Sequence, residues 1–344
     1  MKIFRATLDS LLLLFFLLII WQYDLVKYGI MQGKGQLHIV MNAVPIDAAI
    51  KDTAFPDSLK QKLLLVKEIK SFAITELGLK NSTNYTTIYN QNGKPLLLVL
   101  TASDAYQLKP YQWHFPVLGA VPYKGFFDFE KGRKEAKELK AKGYDVDLGE
   151  VSAWSTLGWF KDPILSGMLE RSEGYLANVI IHEMTHATLY IKDNVEFNEN
   201  LANFIGSKGA ELFLISKYGN DSKELINYRH KNFDDSLVSD YLVQNCKRLE
   251  NLYATFRPET STSEKDTLKH EMIRSILSGI KELPVNDTAI YHRFSRRKTP
   301  PNNAWFLQFK RYNARQSIFE EEFHNTYHDD FKKYLEHLKK VYGE

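Results

Sequence analysis

Behind Pro56, Asp57 and Ser58, the apolar residues Leu59, Leu63, Val66, Ile69, Ala73 and Leu77 recur at helical spacing and stop near Gly78. The pattern predicts a long amphipathic helix that serves as scaffold. Two short apolar runs, 95–100 and 115–121, are bounded by turn residues and predict strands. Residues 130–142 read as a charged helix halted by Gly143, and 144–149 alternate as a strand. From Ser172 onward the spacing is almost wholly helical, over roughly 173–191, 196–218, 236–256, 263–281 and 304–341. The predicted fold class is therefore α+β and predominantly helical, with a mixed part at 35–171 and a helical part at 172–344.

The N-terminal stretch follows a different pattern. No charge falls between Asp9 and Asp24, and residues 11–21 are unbroken Leu, Phe, Ile and Trp behind Lys2 and Arg5. The uncharged stretch rises only about 21 Å as a helix against a hydrocarbon core of roughly 30 Å, which favours a secretory signal. Trp21, Gln22, Tyr23 and Asp24 nevertheless offer no small-x-small cleavage pattern. The reading is an uncleaved signal anchor with linker over 1–34, in which 3–8 and 25–30 extend the helix and Trp21, Tyr23 and Lys27 sit at the interface. A buried N-terminal helix is the alternative. Lys2 and Arg5 ahead of the run point to a cytoplasmic N-terminus, with the bulk of the chain outside.

Charge and cysteine content narrow the chemistry. Lys and Arg total 45 against 42 Asp and Glu, and the resulting +3 gives no electrostatic case for nucleic-acid binding. Cys246 stands alone, so the chain holds no internal disulfide and no cysteine-rich metal cluster. The aromatic residues show no fixed period, which excludes solenoids and propellers.

His182-Glu183-Met184-Thr185-His186 lies within a helical pattern marked by Leu176, Val179, Ile180, Ala187 and Ile191. Four residues turn a helix by roughly 400°, so His182 and His186 project from one face, where two imidazoles can share a tetrahedral Zn²⁺. Glu183 lies one residue on, placed to take a proton from a water whose pKa the metal lowers towards about 7. This is the chemistry of metal-assisted amide hydrolysis.

A catalytic zinc normally takes a third protein ligand. After a short loop at 192–195 a second helix begins and should fold back on the first as a hairpin, which returns Glu199 towards His186. Ala202, Gly206, Gly209 and Ala210 fall on or near the Glu199 side, and such small residues let two helices approach closely. Glu196, one turn earlier, is the rival ligand, though a first-turn acid also complements the helix dipole.

Asn198-Glu199 followed by Ala202 is similar to the Asn-Glu-x-x-Ala element of gluzincin peptidases, in which that Glu is the third zinc ligand. Further elements occur in order: Val121-Pro-Tyr-Lys-Gly-Phe-Phe127, Gly143-Tyr-Asp-Val146, Ser155-Thr-Leu-Gly-Trp-Phe160, Asp162-Pro163, the histidine motif and Phe197-Asn-Glu199. With Gly35-Gln36-Leu37 and Asn302-Asn303-Ala304, they resemble the predicted zinc aminopeptidase family of bacterial envelopes over about residues 28–335. The chain departs from that pattern at His114, where many members have cysteine, and in a plain anchor where members have a lipoprotein signal. The resemblance implies a zincin-like fold, one zinc ion and an aminopeptidase.

In zincins an edge strand above the metal aligns the substrate backbone, and Ser155, Thr156, Leu157, Gly158 and Trp159 suit that role. The competing reading makes Trp154, Leu157, Trp159 and Phe160 core aromatics. Tyr312 is a candidate hydrogen-bond donor to the oxyanion, in competition with Tyr190, Tyr228, Tyr241 and His230. Asp147, Glu150 and Asp162 flank the proposed strand and could meet a substrate's α-ammonium. The expected function is a membrane-anchored zinc peptidase of the cell envelope acting on peptides. A zinc endopeptidase and an inactive envelope scaffold of the same fold are the alternatives.

Overall fold

The computed structural model describes residues 22–115, 119–150, 161–191, 194–295, 300–312 and 316–342. Residues 1–21, which carry the apolar run of the predicted anchor, lie outside them, whereas the predicted extension at 25–30 packs on the body through Tyr28 and does not continue a membrane helix. Among the described residues no helix is long and apolar enough to cross a membrane.

The chain is predominantly helical with some sheet. It opens on helix α1 (Tyr23–Asn42), strand β1 (Val44–Pro45), α2 (Ile46–Lys51) and α3 (Asp57–Thr75). A strand-rich stretch follows: β2 (Thr87–Tyr89), β3 (Leu98–Ser103), β4 (Trp113–Phe115), β5 (Gly119–Val121), β6 (Lys124–Phe126), α4 (Phe129–Ala141), β7 (Asp145–Glu150) and β8 (Ile164–Leu165). After β8 the described residues hold helices only. These are α5 (Ser166–Leu169), α6 (Glu173–Thr188), α7 (Val195–Tyr218), α8 (Lys223–Ala254), α9 (Thr262–Gly279), a 3₁₀ turn at Ile280–Glu282, α10 (Ile290–Ser295), α11 (Asn303–Tyr312), α12 (Gln316–Tyr327) and α13 (Phe331–Tyr342).

The strands form three small sheets. β3 is the centre of one, antiparallel to β6 on one side and to β7 on the other, with Thr101 opposite Asp147. β2 pairs with β1 in antiparallel and with β8 in parallel, and β4 and β5 form a hairpin. The largest core gathers Leu63, Val66 and Ile69 of α3, Leu176, Ile180 and Met184 of α6, Leu201 and Ile205 of α7, and Phe323 and Leu335 of the last two helices. A second core joins α8, α9 and α11 through Leu242, Leu249, Ile276 and Phe306. The third lies between the β3 sheet and α4, with Tyr28 and Met31 of α1 packed against it.

Several predicted elements change shape. The run 115–121 is not one strand but reaches into both arms of the β4–β5 hairpin, with Gly119 at φ 69°. β3 begins at Leu98, three residues inside its apolar run, because Leu96 and Leu97 are spent on the core before pairing starts. The helix predicted at 236–256 starts at Lys223, where the Ser222 hydroxyl accepts from Leu225 N and caps it. The single helix predicted at 304–341 is three. His328 and Asp329 break it with φ of 49° and 64°, and Asp330 starts α13 by accepting from Lys333 N at 3.1 Å. α1 runs on to Asn42, beyond the extension predicted at 25–30. A Cβ on Gly35 would sit 2.2 Å from the Phe127 ring, so this glycine lets α1 lie against the end of β6. There the Tyr28 hydroxyl and the Gln32 amide both donate to Gly125 O.

Candidate metal centre

α6 and α7 form the predicted helical hairpin, and their packing places the candidate ligands. The Ser172 hydroxyl caps α6 by accepting from Tyr175 N at 3.3 Å, and Asn194 caps α7 by accepting from Phe197 N at 3.3 Å. α6 ends at Thr188, short of the predicted 191, because Leu189 turns extended at φ −145° and buries its side chain. The connection is held by Asn198. Its Oδ1 accepts from Ile191 N at 2.8 Å, and its Nδ2 donates to Ile191 O at 2.7 Å.

Small residues bring the two helices close. A Cβ on Gly206 would lie 3.0 Å from Asn178 O and from His182 Cβ, and one on Gly209 would lie 2.9 Å from Ile181 Cγ2. Ala202 and Ala210 are fully buried. One turn of α7 therefore faces one turn of α6, with Glu199 opposite His182 and His186.

His182 Nε2 and His186 Nε2 are 3.1 Å apart, His182 Nε2 is 3.5 Å from Glu199 Oε2, and His186 Nε2 is 3.4 Å from Glu199 Oε1. The two separations to Glu199 exceed the usual hydrogen-bond range. Around a tetrahedral zinc with bonds of 2.0–2.2 Å, ligand atoms sit about 3.3–3.6 Å apart, which matches the two edges to Glu199, while the histidine edge at 3.1 Å is slightly shorter. The three residues could hold a metal ion. Burial, then the neighbouring His182 ring, pushes His186 down to about 4 against the pull of Glu199, so its ring is neutral at pH 7 as a ligand must be. The His182 imidazole holds the Glu199 carboxyl below its ordinary range, outweighing its burial. His186 Nδ1 is buried without a partner among the described residues, which leaves Nε2 as the nitrogen aimed at the group.

Glu183 lies on the neighbouring face of α6. The chain that follows α3 returns along this helix: Lys80 N donates to Thr188 Oγ1 at 2.9 Å, and Tyr85 is buried beyond it. Tyr85 adopts φ 56°, unusual for a residue with a side chain, and its N–H donates to Asp162 O at 2.7 Å. Burial first, then the carboxylates of Glu183 and Asp162, raises its phenol well above the ordinary value. Sequence reasoning missed Tyr85, because one tyrosine among 19 in a polar turn carries no signal.

Not all of the other predicted site residues are among the described ones. Ser155, Thr156, Leu157, Gly158 and Trp159 lie outside the described residues, as do the side chains of Tyr312, at the end of α11, and of Glu196. Tyr190 stands half exposed with its ring edge-on to His186 at 6.4 Å. Tyr228 and Tyr241 are structural. The first accepts from Asn178 Nδ2 and donates to Ser207 O, and the second donates to Ile276 O across α8 and α9. His230 lines a separate cleft of about 1000 Å³ that includes none of the three candidate ligands. Asp147 is buried and accepts from Gln308 Nε2 at 2.8 Å, and Asp162 is buried as well, so neither is a free surface acid. Asn302 and Asn303 clamp α11 to the sheet through Val146 O, Asp145 Oδ2 and Ala105 O.

A family model described as "Putative aminopeptidase" matches residues 27–343. No curated protein and no solved structure matches the chain.

Proposed function

Because the chain belongs to this "Putative aminopeptidase" family, we propose that it is a zinc-dependent metallopeptidase that removes residues from the N-terminus of peptides. The observation that carries the reading is the triangle of His182, His186 and Glu199, whose edges suit three ligands of one tetrahedral zinc. A zinc ion held there supplies a Lewis acid for the scissile carbonyl and lowers the pKa of water to about 7. Glu183, outside the ligand set, takes the proton from the attacking water and delivers it to the amine as the C–N bond breaks. The buried phenol of Tyr85 lies close enough to this carboxylate to feel its charge. Within residues 1–34, the uncharged run 11–21 anchors the chain in the membrane and the start of α1 links it to the body, with the catalytic part outside the cytoplasm of a bacterial envelope.

The test pairs metal analysis with digestion of one peptide bearing a free or an acetylated N-terminus. About one zinc per chain and stepwise loss of N-terminal residues, abolished by acetylation, is the expected result. Internal cleavage of both peptides would replace the aminopeptidase with an endopeptidase on the same zinc chemistry. Absence of bound zinc with no cleavage would overturn the reading.

A further inference from the structure

The connection between α6 and α7 fixes its backbone and leaves one large side chain outside. Leu189 N donates to Thr185 O at 2.8 Å, and Leu189 then turns extended and sinks its side chain into the largest core. Two residues on, Asn198 takes both backbone groups of Ile191. Tyr190 stands between these two fixed points. Alternate side chains of an extended chain point to opposite sides, so Leu189 goes inward and Tyr190 outward, where it is 49% exposed. Its ring centre lies 6.4 Å from that of the His186 imidazole, with 71° between the planes. Its hydroxyl makes no hydrogen bond among the described residues.

This ring stands at the open rim of the ligand triangle. The His182 and His186 side chains are 15% and 13% exposed and that of Glu199 is 37% exposed, so the Glu199 side is the more accessible one. The connection lies on that side, because Glu199 follows Asn198 and Asn198 holds Ile191. A peptide carbonyl brought to the triangle carries a side chain on either side of its bond, on Cα atoms about 3.8 Å apart. A ring edge-on to His186 is within reach of one of them.

The chemistry of the ring selects what it meets. Tyrosine has only two side-chain torsions, and with its backbone fixed it offers a large flat apolar area at little entropic cost. Among the described residues, no other exposed large apolar side chain makes a ring contact with a candidate ligand. A charged side chain keeps its water, whereas an apolar one gains by covering the ring. We propose that Tyr190 is a specificity residue of this site, the wall against which a large apolar side chain next to the scissile bond packs. The proposal rests on the peptidase reading above and adds its substrate class, peptides with Phe or Leu beside the bond that is cut.

The test measures kcat/KM of the full chain on two series of short peptides, one varying the first residue and one the second over Phe, Leu, Ala, Ser, Lys and Glu. One series should favour Phe and Leu over Ala by about 10–100-fold, the scale on which an apolar pocket discriminates. Tyr190→Ser should bring that ratio close to one, and Tyr190→Phe should restore it. Calorimetry with uncleavable peptides, whose scissile carbonyl is reduced to a methylene, should give the same ranking without turnover. Absence of an apolar preference in both series, a preference that survives Tyr190→Ser, or a preference for Lys would overturn the proposal. So would loss of the ratio in Tyr190→Phe, which would move the work from the ring to the hydroxyl. Zinc content is read in every preparation. Wild type with neither zinc nor cleavage would end the peptidase reading, and the ranking of the uncleavable peptides would still decide for or against the Tyr190 wall.

Discussion

Asn198 binds both backbone groups of Ile191, seven residues earlier, at 2.8 and 2.7 Å. The side-chain amide acts as a short strand would, satisfying an N–H and a C=O where α6 has ended and α7 has just begun. Glu199 is the next residue, so the same clamp fixes the direction from which a carboxylate approaches His182 and His186. Asn198→Ala leaves two backbone groups unpaired and should cost about 2–4 kcal/mol in stability, read by denaturant unfolding. Zinc affinity should fall with it. Asn198→Asp keeps the acceptor but turns the donor into a second oxygen facing Ile191 O, and should rescue neither property.

Gly206 tests the same hairpin from its interior. Its missing Cβ would lie 3.0 Å from Asn178 O and His182 Cβ, and backbone cannot swing aside as a side-chain tip can. Gly206→Ala should push α7 away from α6 at the level of the ligands, costing about 1–3 kcal/mol as overpacking does. Isothermal titration should show weaker zinc binding. Unchanged affinity would mean that the helices have slack at this level.

The sequence made this hairpin legible because its signals are local: helical spacing from Ser172 onward, two histidines four apart, a loop, and a run of small residues in register with Glu199. The sheets were less so. β2 and β8 have three and two residues, too few for a period to show, and they pair between distant parts of the chain, Ile88 opposite Ile164. The break in the C-terminal helices hides behind His328 and Asp329, which take the left-handed conformation without glycine. Tyr85 was illegible for a similar reason, since its place beside Glu183 depends on how the chain after α3 docks on α6. Asn302 and Asn303 stood out in the sequence, yet their work is to tie α11 to β7 and the loop after β3.

Alkaline pH should destabilise the protein more steeply than exposed tyrosines would. Burial pushes Tyr28 up to about 12 and holds Tyr85 and Tyr228 above their ordinary value. A phenol with a higher pKa folded than unfolded lends stability that is complete below about pH 10 and is lost as pH rises towards the folded value. Denaturant unfolding between pH 8 and 11 should therefore show stability falling above about pH 10. Tyr85→Phe should flatten that fall. An unchanged slope would mean that Tyr85 is already open to solvent.

Metal retention and turnover should separate within one helical turn. His182→Ala or His186→Ala leaves two ligands, which hold zinc poorly against water, so each should lose the metal and the activity together. Glu199→Ala should weaken binding in the same way, whereas Glu196→Ala should leave metal content unchanged; the reverse pattern would move the third ligand one turn earlier. Glu183→Gln differs in kind. It removes no ligand and keeps the shape of the side chain beside Tyr85, so zinc content and melting temperature should stay near wild type. Turnover should fall by about 10²–10⁴-fold, the scale of a lost general base. Metal analysis and peptide digestion on the same preparations tell the two classes apart. Near-native turnover in Glu183→Gln would pass the proton to another group, and loss of zinc in that variant would make Glu183 a ligand instead of a base.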